Sequence, residues 1–368
     1  MNIVILIFGA FLLGALIGLI YLLTRFHRFR PIKALAGKSR FLSWIAALVP
    51  VLLLVLLCVF DMINGVITVI HLFVFWIFCD IAGYFIRRHK GTKEIRHYYE
   101  GLAAILITAA YLGAGLYADF HVWETDYQLT AGKELGTDRL RIVQITDSHI
   151  GSTFDGEGFA KHMARIQETD PDVIVITGDY VDDGTEKEDM VRSCQALGDM
   201  KSTYGTFFVF GNHDKGYMNY RNFTAQELRQ ELEKNHVRIL EDEAVLLNDS
   251  FYIIGRKDRS ERYGHASMEE LVSPLDPSRY MVVLDHQPHD FAAQAEAGVD
   301  LVLCGHTHGG QMFPVGILGE VSGANEKTYG LKTTGTTNYI VSSGISDWEI
   351  IFKTGTFSEF CVIDITRG

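Results

Sequence analysis

Four long apolar stretches occupy the first third of the chain and most constrain what it can fold into. They cover roughly residues 3–23, 42–60, 65–86 and 102–120. Each approaches the ~20 residues that an α-helix needs to cross the hydrocarbon core of a bilayer. The pattern therefore predicts a transmembrane helical region over residues 1–120, a linker over 121–139 and a second domain over 140–368.

Basic residues in the loops between these stretches predict the orientation of the chain. They are Arg25, Arg28, Arg30, Lys33, Lys38 and Arg40 after the first stretch, and Arg87, Arg88, Lys90, Lys93 and Arg96 after the third. Loops rich in Lys and Arg stay in the cytoplasm, so the second domain is expected on the extracytoplasmic side of the cell membrane. Tyr117 and Trp123 are expected to anchor the last helix at the interface.

His71 and Asp80 are ionisable residues inside the third apolar stretch. Nine helical steps place them on nearly opposite faces of a helix. Two separate hydrogen bonds within the helix bundle are therefore expected, and a transport or relay role is the alternative.

The second part of the chain is acidic. Residues 119–368 contain 22 Lys and Arg against 41 Asp and Glu. Because nucleic-acid binding normally needs a basic face, no nucleic-acid partner is expected.

From Leu140 onward the chain alternates short apolar runs with helical patterns. The apolar runs are LRIVQI (140–145), VIVI (173–176), TFFVF (206–210), MVVL (281–284) and LVL (301–303). Continuous apolar runs of this kind are typical of strands buried on both faces. Helical patterns near 157–169, 186–200, 224–235 and 289–297 separate several of them. The alternation predicts an α/β domain in which helices flank packed sheets.

Polar clusters follow each of these five runs, at the place where α/β folds position their sites. They are Asp147-Ser148-His149, Gly178-Asp179, Gly211-Asn212-His213-Asp214, Asp285-His286 and Gly305-His306-Thr307-His308. A lone Gly-Asp is usually a turn, and a lone histidine is usually a core or capping residue. Five such clusters together, all rich in Asp, Asn and His, indicate a shared metal site.

The residue types in these clusters indicate which metals would bind. Carboxylate, amide and imidazole ligands without a thiolate suit Mn, Fe, Zn or Co. Alternate residues of an extended segment project to the same side, so His306 and His308 can enter one site, as can Asp147 and His149. The neighbouring glycines permit tight turns and leave room for a phosphate group beside the metals.

The ordered set of clusters resembles the motif set of calcineurin-like metallophosphoesterases, over about residues 140–365. GHTHGGQ (305–311) and SSGIS (342–346) are further similar to a membrane-associated bacterial branch that includes UDP-2,3-diacylglucosamine hydrolases and exported phosphoesterases. The resemblance implies a four-layer αββα sandwich, preceded here by about four transmembrane helices, and a metal-dependent phosphoric ester hydrolase with two divalent metal ions. One metal would be held by Asp147, His149, Asp179 and His308, and the other by Asp179, Asn212, His286 and His306.

The resemblance also implies the groups that take part in the reaction. A hydroxide that bridges the two metals would attack phosphorus directly. His213 would stabilise or protonate the leaving oxygen, and Asp214 would orient His213. A structural role for Asp214, as the cap of the next helix, is the alternative.

Two further segments near the predicted site allow more than one interpretation. Asp182 and Asp183 are expected in a solvated turn. The apolar segment MFPVGILG (312–319) directly follows the two histidines. It would line an acyl-chain groove, touch the bilayer or pack on the sheet as a buried loop. Many relatives carry a basic residue near this point, where this chain has Met312 and Phe313.

The combined expectation is a multi-pass membrane protein with an extracytoplasmic phosphoesterase domain. Its substrate would be a phosphomonoester or phosphodiester, lipid-linked or part of the cell envelope. UDP-2,3-diacylglucosamine pyrophosphate hydrolysis is the alternative within the family, although that substrate is made in the cytoplasm. A non-catalytic membrane sensor or scaffold is the alternative from another class.

Overall fold

The computed structural model describes residues 3–91, 97–216, 221–261 and 264–368. Lys93 and Arg96 of the predicted basic loop lie outside these residues. Two compact units divide the chain, Met1–Ala114 and Gly115–Gly368.

Long apolar helices form the first unit. In chain order the helices are α1 (Ile3–Phe26), α2 (Arg30–Leu35), α3 (Arg40–Phe60), α4 (Met62–Lys90) and α5 (Tyr99–Phe120), of which α5 continues into the second unit. All but the short α2 are long and apolar enough to cross a membrane, which agrees with the prediction of four apolar helices in this region. Side chains of Ser39 and Asp61 accept hydrogen bonds at the starts of α3 and α4. Polar caps of this kind explain why the helices begin there.

His71 and Asp80 have separate partners within the helix bundle, as expected. Nδ1 of His71 lies 2.8 Å from the carbonyl oxygen of Ile67, one turn earlier on α4. Asp80 accepts hydrogen bonds from Tyr21 at 2.9 Å and from Tyr98 at 2.5 Å. These contacts satisfy both side chains locally and do not join them into one site.

The second unit contains two mixed sheets and their flanking helices. Its elements in chain order are β1 (Val122–Ala131), β2 (Arg139–Ile145), α6 (Gly156–Gln167), β3 (Val173–Thr177), α7 (Lys187–Gly198), β4 (Thr206–Val209), α8 (Ala225–Lys234), β5 (Val237–Ile239), β6 (Glu243–Leu247), β7 (Phe251–Gly255), α9 (Met268–Val272), β8 (Tyr280–Leu284), α10 (Phe291–Glu296), β9 (Leu301–Cys304), α11 (Val315–Val321), β10 (Gly330–Thr334), β11 (Thr337–Val341) and β12 (Ser358–Arg367). Each sheet has six strands, in the orders β1-β12-β2-β3-β4-β5 and β10-β11-β9-β8-β7-β6.

Three hydrophobic layers hold the elements together. One layer packs α6, α7 and α8 against the outer face of the first sheet. A second fills the space between the sheets, where Ile142 and Val175 of the first sheet join Val282 and Leu303 of the second. The third packs α9 and α10 on the outer face of the second sheet. This is the predicted four-layer αββα arrangement.

The prediction of a linker over residues 121–139 is wrong for the first half of that segment. Residues 122–131 form β1, which pairs in parallel with β12 along its whole length, from Val122 opposite Ser358 to Ala131 opposite Arg367. The strand begins two residues after α5 ends at Phe120. The other predicted domain boundaries stay a prediction.

Candidate metal centre

The carboxyl ends of β2, β3, β4, β8 and β9 carry the five predicted polar clusters. In each sheet these strands run parallel to one another, so their carboxyl ends lie along one edge. A hydrogen bond of 2.8 Å from the side-chain amide of Gln144 to the carbonyl oxygen of Cys304 joins the two sheets at that edge. The predicted ligands of both sheets therefore come together.

Left-handed backbone conformations are concentrated in these loops. The residues concerned are Asp147 (φ 51°), His149 (φ 36°), Asp179 (φ 50°), His306 (φ 70°) and His308 (φ 47°). Such conformations are uncommon outside glycine, and their clustering is typical of functional sites.

Two glycines allow the strand-end loops to approach each other closely. A Cβ atom on Gly178 would lie 2.6 Å from the backbone nitrogen of Gly211 and 2.7 Å from Nδ1 of His286. A Cβ atom on Gly305 would lie 2.2 Å from Oδ2 of Asp147. Any larger side chain at either position would therefore displace a predicted ligand or its loop.

The first group of ligand-type side chains contains Asp147, His149 and His308, whose ligand atoms all lie within 4.8 Å of one another. Nε2 of His308 lies 3.6 Å from Oδ1 of Asp147. The backbone N–H of His306 donates to both oxygens of Asp147, each at 3.0 Å. The loop after β9 therefore holds this carboxylate and presents His308 to the same space.

The second group contains Asp179, His286 and His306. Nδ1 of His286 lies 2.7 Å from the carbonyl oxygen of Thr177, an acceptor that makes Nδ1 the protonated nitrogen of the neutral ring. Nε2 of the same ring lies 3.1 Å from Oδ2 of Asp179 and 3.1 Å from Oδ1 of Asn212. The predicted ligand Asn212 therefore joins this group.

Asp179 faces both groups. Its Oδ2 lies 3.1 Å from Nε2 of His286 and 3.8 Å from Nε2 of His149. The backbone N–H of His213 donates to the other oxygen at 2.8 Å. Burial opposes the charge on this carboxyl, but His286 and His149 outweigh burial and hold the pKa of Asp179 well below its usual range. One ionised carboxylate thus contacts histidines of both groups.

The carboxylate of Asp182 contacts the Nδ1 atoms of two histidines. Its Oδ2 lies 3.2 Å from Nδ1 of His149, and its Oδ1 lies 3.2 Å from Nδ1 of His213. The expectation of a solvated turn at Asp182 is wrong, because only 8% of the residue is exposed. Burial raises the pKa of this carboxyl, but its hydrogen bonds to the two histidines outweigh burial and lower the pKa below its usual range.

The side chain of Asp214 anchors loops, which favours the structural alternative, and the orienting role stays a prediction. Its carboxylate accepts backbone hydrogen bonds from Tyr180 (2.8 Å), Val181 (3.1 Å) and Gly211 (2.7 Å). These bonds fasten the loop after β3 to the loop after β4, while Asp182 contacts the ring of His213. Burial, and then the charge of Asp179, raise the pKa of Asp214 to about 6.

Two residues after β11 were not predicted from the sequence. Oδ1 of the buried Asp347 lies 3.0 Å from Nδ1 of His308. The ring of Trp348 lies 5.3 Å from the ring of His213. Both follow SSGIS at the end of another parallel strand, which is the signal by which they could have been found.

The residues present fit divalent metal ions. Nε2 of His149 is buried without a hydrogen-bond partner, while the other nitrogen of the ring contacts Asp182. Burial lowers the pKa of His306 and of His308 to about 4, so both imidazoles are neutral near pH 7, as metal ligation requires. Burial opposes protonation of His286, but Asp179 and other carboxylates raise the pKa of this ring well above its usual value. The carboxylates therefore create a negative potential that a cation would balance.

Comparison with known proteins identifies the domain. A sequence model of the calcineurin-like phosphoesterase family matches residues 140–310. These residues therefore form a calcineurin-like metallophosphoesterase domain, which confirms the family resemblance. The family uses a dinuclear metal centre, and the domain contains groups of metal-ligand type at the expected place.

Relatives with this domain include membrane proteins. An uncharacterized metallophosphoesterase of Helicobacter pylori is 33% identical over 217 residues, which cover 57% of this chain and 55% of the relative. A Danio rerio transmembrane protein with metallophosphoesterase domain is 31% identical over 192 residues, which cover 49% of this chain and 42% of the relative. The chain thus spans about half the length of these curated relatives.

Solved structures are also similar to part of this chain. A dimetal phosphatase from Danio rerio is 11% identical and has a TM-score of 0.38, with 58% of this chain and 88% of that chain covered.

Proposed function

We propose that this protein is a membrane-tethered phosphoesterase with two metal ions, which hydrolyses a phosphomonoester or phosphodiester at the membrane. The observation that carries the proposal is the position of Asp179, whose carboxylate contacts histidines of both ligand groups. A shared carboxylate of this kind is what a pair of metals about 3.5–4 Å apart requires.

In this proposal the two ligand sets are those that the resemblance implies. The first consists of Asp147, His149, Asp179 and His308, and the second of Asp179, Asn212, His286 and His306. Two divalent ions of the Mn, Fe, Zn or Co type would supply Lewis-acid activation of the phosphate group and of the attacking water.

His213 is the proposed proton donor or stabiliser for the leaving oxygen. Its ring packs against the ring of His149 at 5.0 Å, next to the first ligand group. Asp182 contacts Nδ1 of His213 and so orients the ring, and the proposal assigns Nε2 to the substrate. Asp182 is thus a positioning residue for both His149 and His213.

The substrate class follows from the tether. An active site fixed at a bilayer encounters substrates that are held in the same surface, such as lipid-linked phosphates or envelope polymers. Hydrolysis of UDP-2,3-diacylglucosamine is the second candidate, supported by the histidine-rich motif. The non-catalytic sensor is disfavoured because every predicted ligand position is filled by a ligand-type side chain within the site.

The test is metal binding and hydrolysis by the full-length chain in nanodiscs. After removal of metals with a chelator, reloading with Mn²⁺ or Zn²⁺ is expected to restore about two ions per chain, measured by mass spectrometry of the metals. The reloaded protein is expected to cleave a chromogenic phosphodiester or phosphomonoester. Bound metal without hydrolysis of either ester or of envelope lipid extracts would favour the sensor.

The orientation of the domain can be tested separately. The proposal places both basic loops in the cytoplasm and the phosphoesterase domain outside. Alkaline phosphatase fused after Gly368 is therefore expected to be active, and green fluorescent protein at the same position is expected to be dark. The reverse pattern would place the domain in the cytoplasm and would favour the nucleotide-sugar substrate.

A further inference from the structure

An exposed apolar surface lies directly after the histidine-rich loop. It consists of Phe313 and four side chains of α11, and we name it the apolar rim. The four are Val315, Ile317, Leu318 and Val321. All five residues of the rim are between 54% and 80% exposed, and α11 buries none of its residues. The expectation of a buried loop packed on the sheet is therefore wrong for residues 313–319, although Met312 is buried.

A neighbouring loop extends the same apolar surface. The side-chain amide of Gln311 donates to the carbonyl oxygen of Ile350 at 2.6 Å, and the backbone N–H of Gly355 donates to Gln311 at 2.9 Å. These bonds hold the loop after β11 beside the start of the rim. That loop exposes Trp348 and Ile351. Exposed apolar side chains grouped in this way indicate an interaction surface.

The loop after β11, which borders the apolar rim, contacts the last turns of α5. The backbone N–H of Lys353 donates to the carbonyl oxygen of Gly115 at 3.0 Å. Gly115 precedes the end of α5 at Phe120 by five residues, which corresponds to about 7 Å along the helix axis. The loop that borders the rim is therefore placed beside the last turns of a helix that is apolar enough to cross a membrane.

The connection between α5 and the first sheet is short. β1 begins at Val122, and the hydroxyl of Ser358 on β12 donates to the carbonyl oxygen of Asp119 at 2.6 Å. Rings at this junction contact one another in a chain: Tyr117, His121, Trp123 and Phe357. Tyr and Trp are enriched at the membrane–water interface, and their clustering is consistent with an interfacial position.

We propose that the apolar rim inserts into the headgroup and upper acyl region of the bilayer that α5 crosses. Apolar helix faces that lie in the interface plane typically enter by about 5–10 Å. Gly115, which accepts the hydrogen bond from Lys353, lies five residues before the end of α5, or about 7 Å along its axis. The cavity of about 310 Å³ between Gly309 and Ile317 then opens at the lipid surface, one residue from His308. This inference concerns the position of the segment and is independent of hydrolytic activity.

The test is a depth measurement on the full-length chain in phosphatidylcholine–phosphatidylglycerol nanodiscs. An environment-sensitive fluorophore is attached to Ile317→Cys, with Glu168→Cys as the matched control. Glu168 is exposed and directly follows α6, at the opposite edge of the first sheet. The half-buried Cys58 and Cys79 are replaced by alanine in both variants to prevent background labelling.

Nitroxide on the lipid acyl chains is expected to quench the probe at position 317 severalfold more than the probe at position 168. Aqueous iodide is expected to show the opposite preference. Strong iodide quenching at position 317 would overturn the proposal, since the rim would then lie in water. Protection from both quenchers would overturn it as well, because the rim would then be covered by protein, such as a second copy of this chain.

Discussion

Asp179→Asn is expected to lower kcat/KM for a phosphoester substrate by about 10³-fold or more, since several kcal/mol of charge stabilisation would be lost. Asparagine has nearly the same size, tolerates the left-handed backbone of position 179 and can still accept the N–H of His213. The substitution therefore removes mainly the negative charge that both ligand groups share. Bound metal is expected to fall from about two ions per chain to one or none.

Glu168→Gln is the matched control, because it removes a carboxylate that is exposed and remote from the site. It is expected to keep wild-type activity and metal content. Steady-state hydrolysis and metal analysis on the same preparations measure both quantities. Retention of two metals with full activity in the Asp179 variant would show that this carboxylate does not link the two ions.

The strands and most of the site were predictable because their signals are local. A strand buried on both faces reads as an unbroken apolar run, and VIVI and MVVL meet this description. The polar clusters follow such runs directly, and parallel strands bring their carboxyl ends to one edge. Asp147, Asp179 and His286 could therefore be assigned to one site before their distances were known.

Residues whose surroundings come from distant parts of the chain could not be assigned in this way. β1 alternates more and less exposed residues along its whole length, but it has no unbroken apolar run, and its partner β12 lies more than 200 residues later. Its sequence therefore resembles a linker. Asp182 lies in a polar stretch that resembles an ordinary turn, and only the folded chain places His149 and His213 over its carboxylate. The orienting role was predicted for Asp214 because Asp214 is adjacent to His213 in sequence. In the structure the Asp214 side chain binds backbone N–H groups instead.

Asp182→Asn is expected to lower metal affinity and kcat/KM by about 10–100-fold, the range found for residues that orient metal ligands. An amide can contact two imidazole rings only with one donor and one acceptor, so the two N–H groups of His149 and His213 can no longer both be bound. His149 would lose part of its orientation toward the first ligand group, and His213 part of its orientation toward the substrate. Calorimetric titration with Mn²⁺ and hydrolysis kinetics measure the two effects.

Asp214→Asn is the matched comparison, because this carboxylate is adjacent to His213 in sequence but binds backbone groups. Oδ2 of Asp214 accepts a hydrogen bond from the backbone N–H of Gly211. In the variant the side-chain NH₂ group would take the place of Oδ2, so two donors would face each other and the buried N–H of Gly211 would lose its acceptor. The metal-free protein is therefore expected to lose about 1–3 kcal/mol of unfolding free energy. Asp182→Asn is expected to change this quantity less and to affect metal affinity more. Suppose instead that the Asp214 variant lost hydrolytic activity at unchanged stability and the Asp182 variant kept its activity. Asp214, and not Asp182, would then be the residue that orients His213.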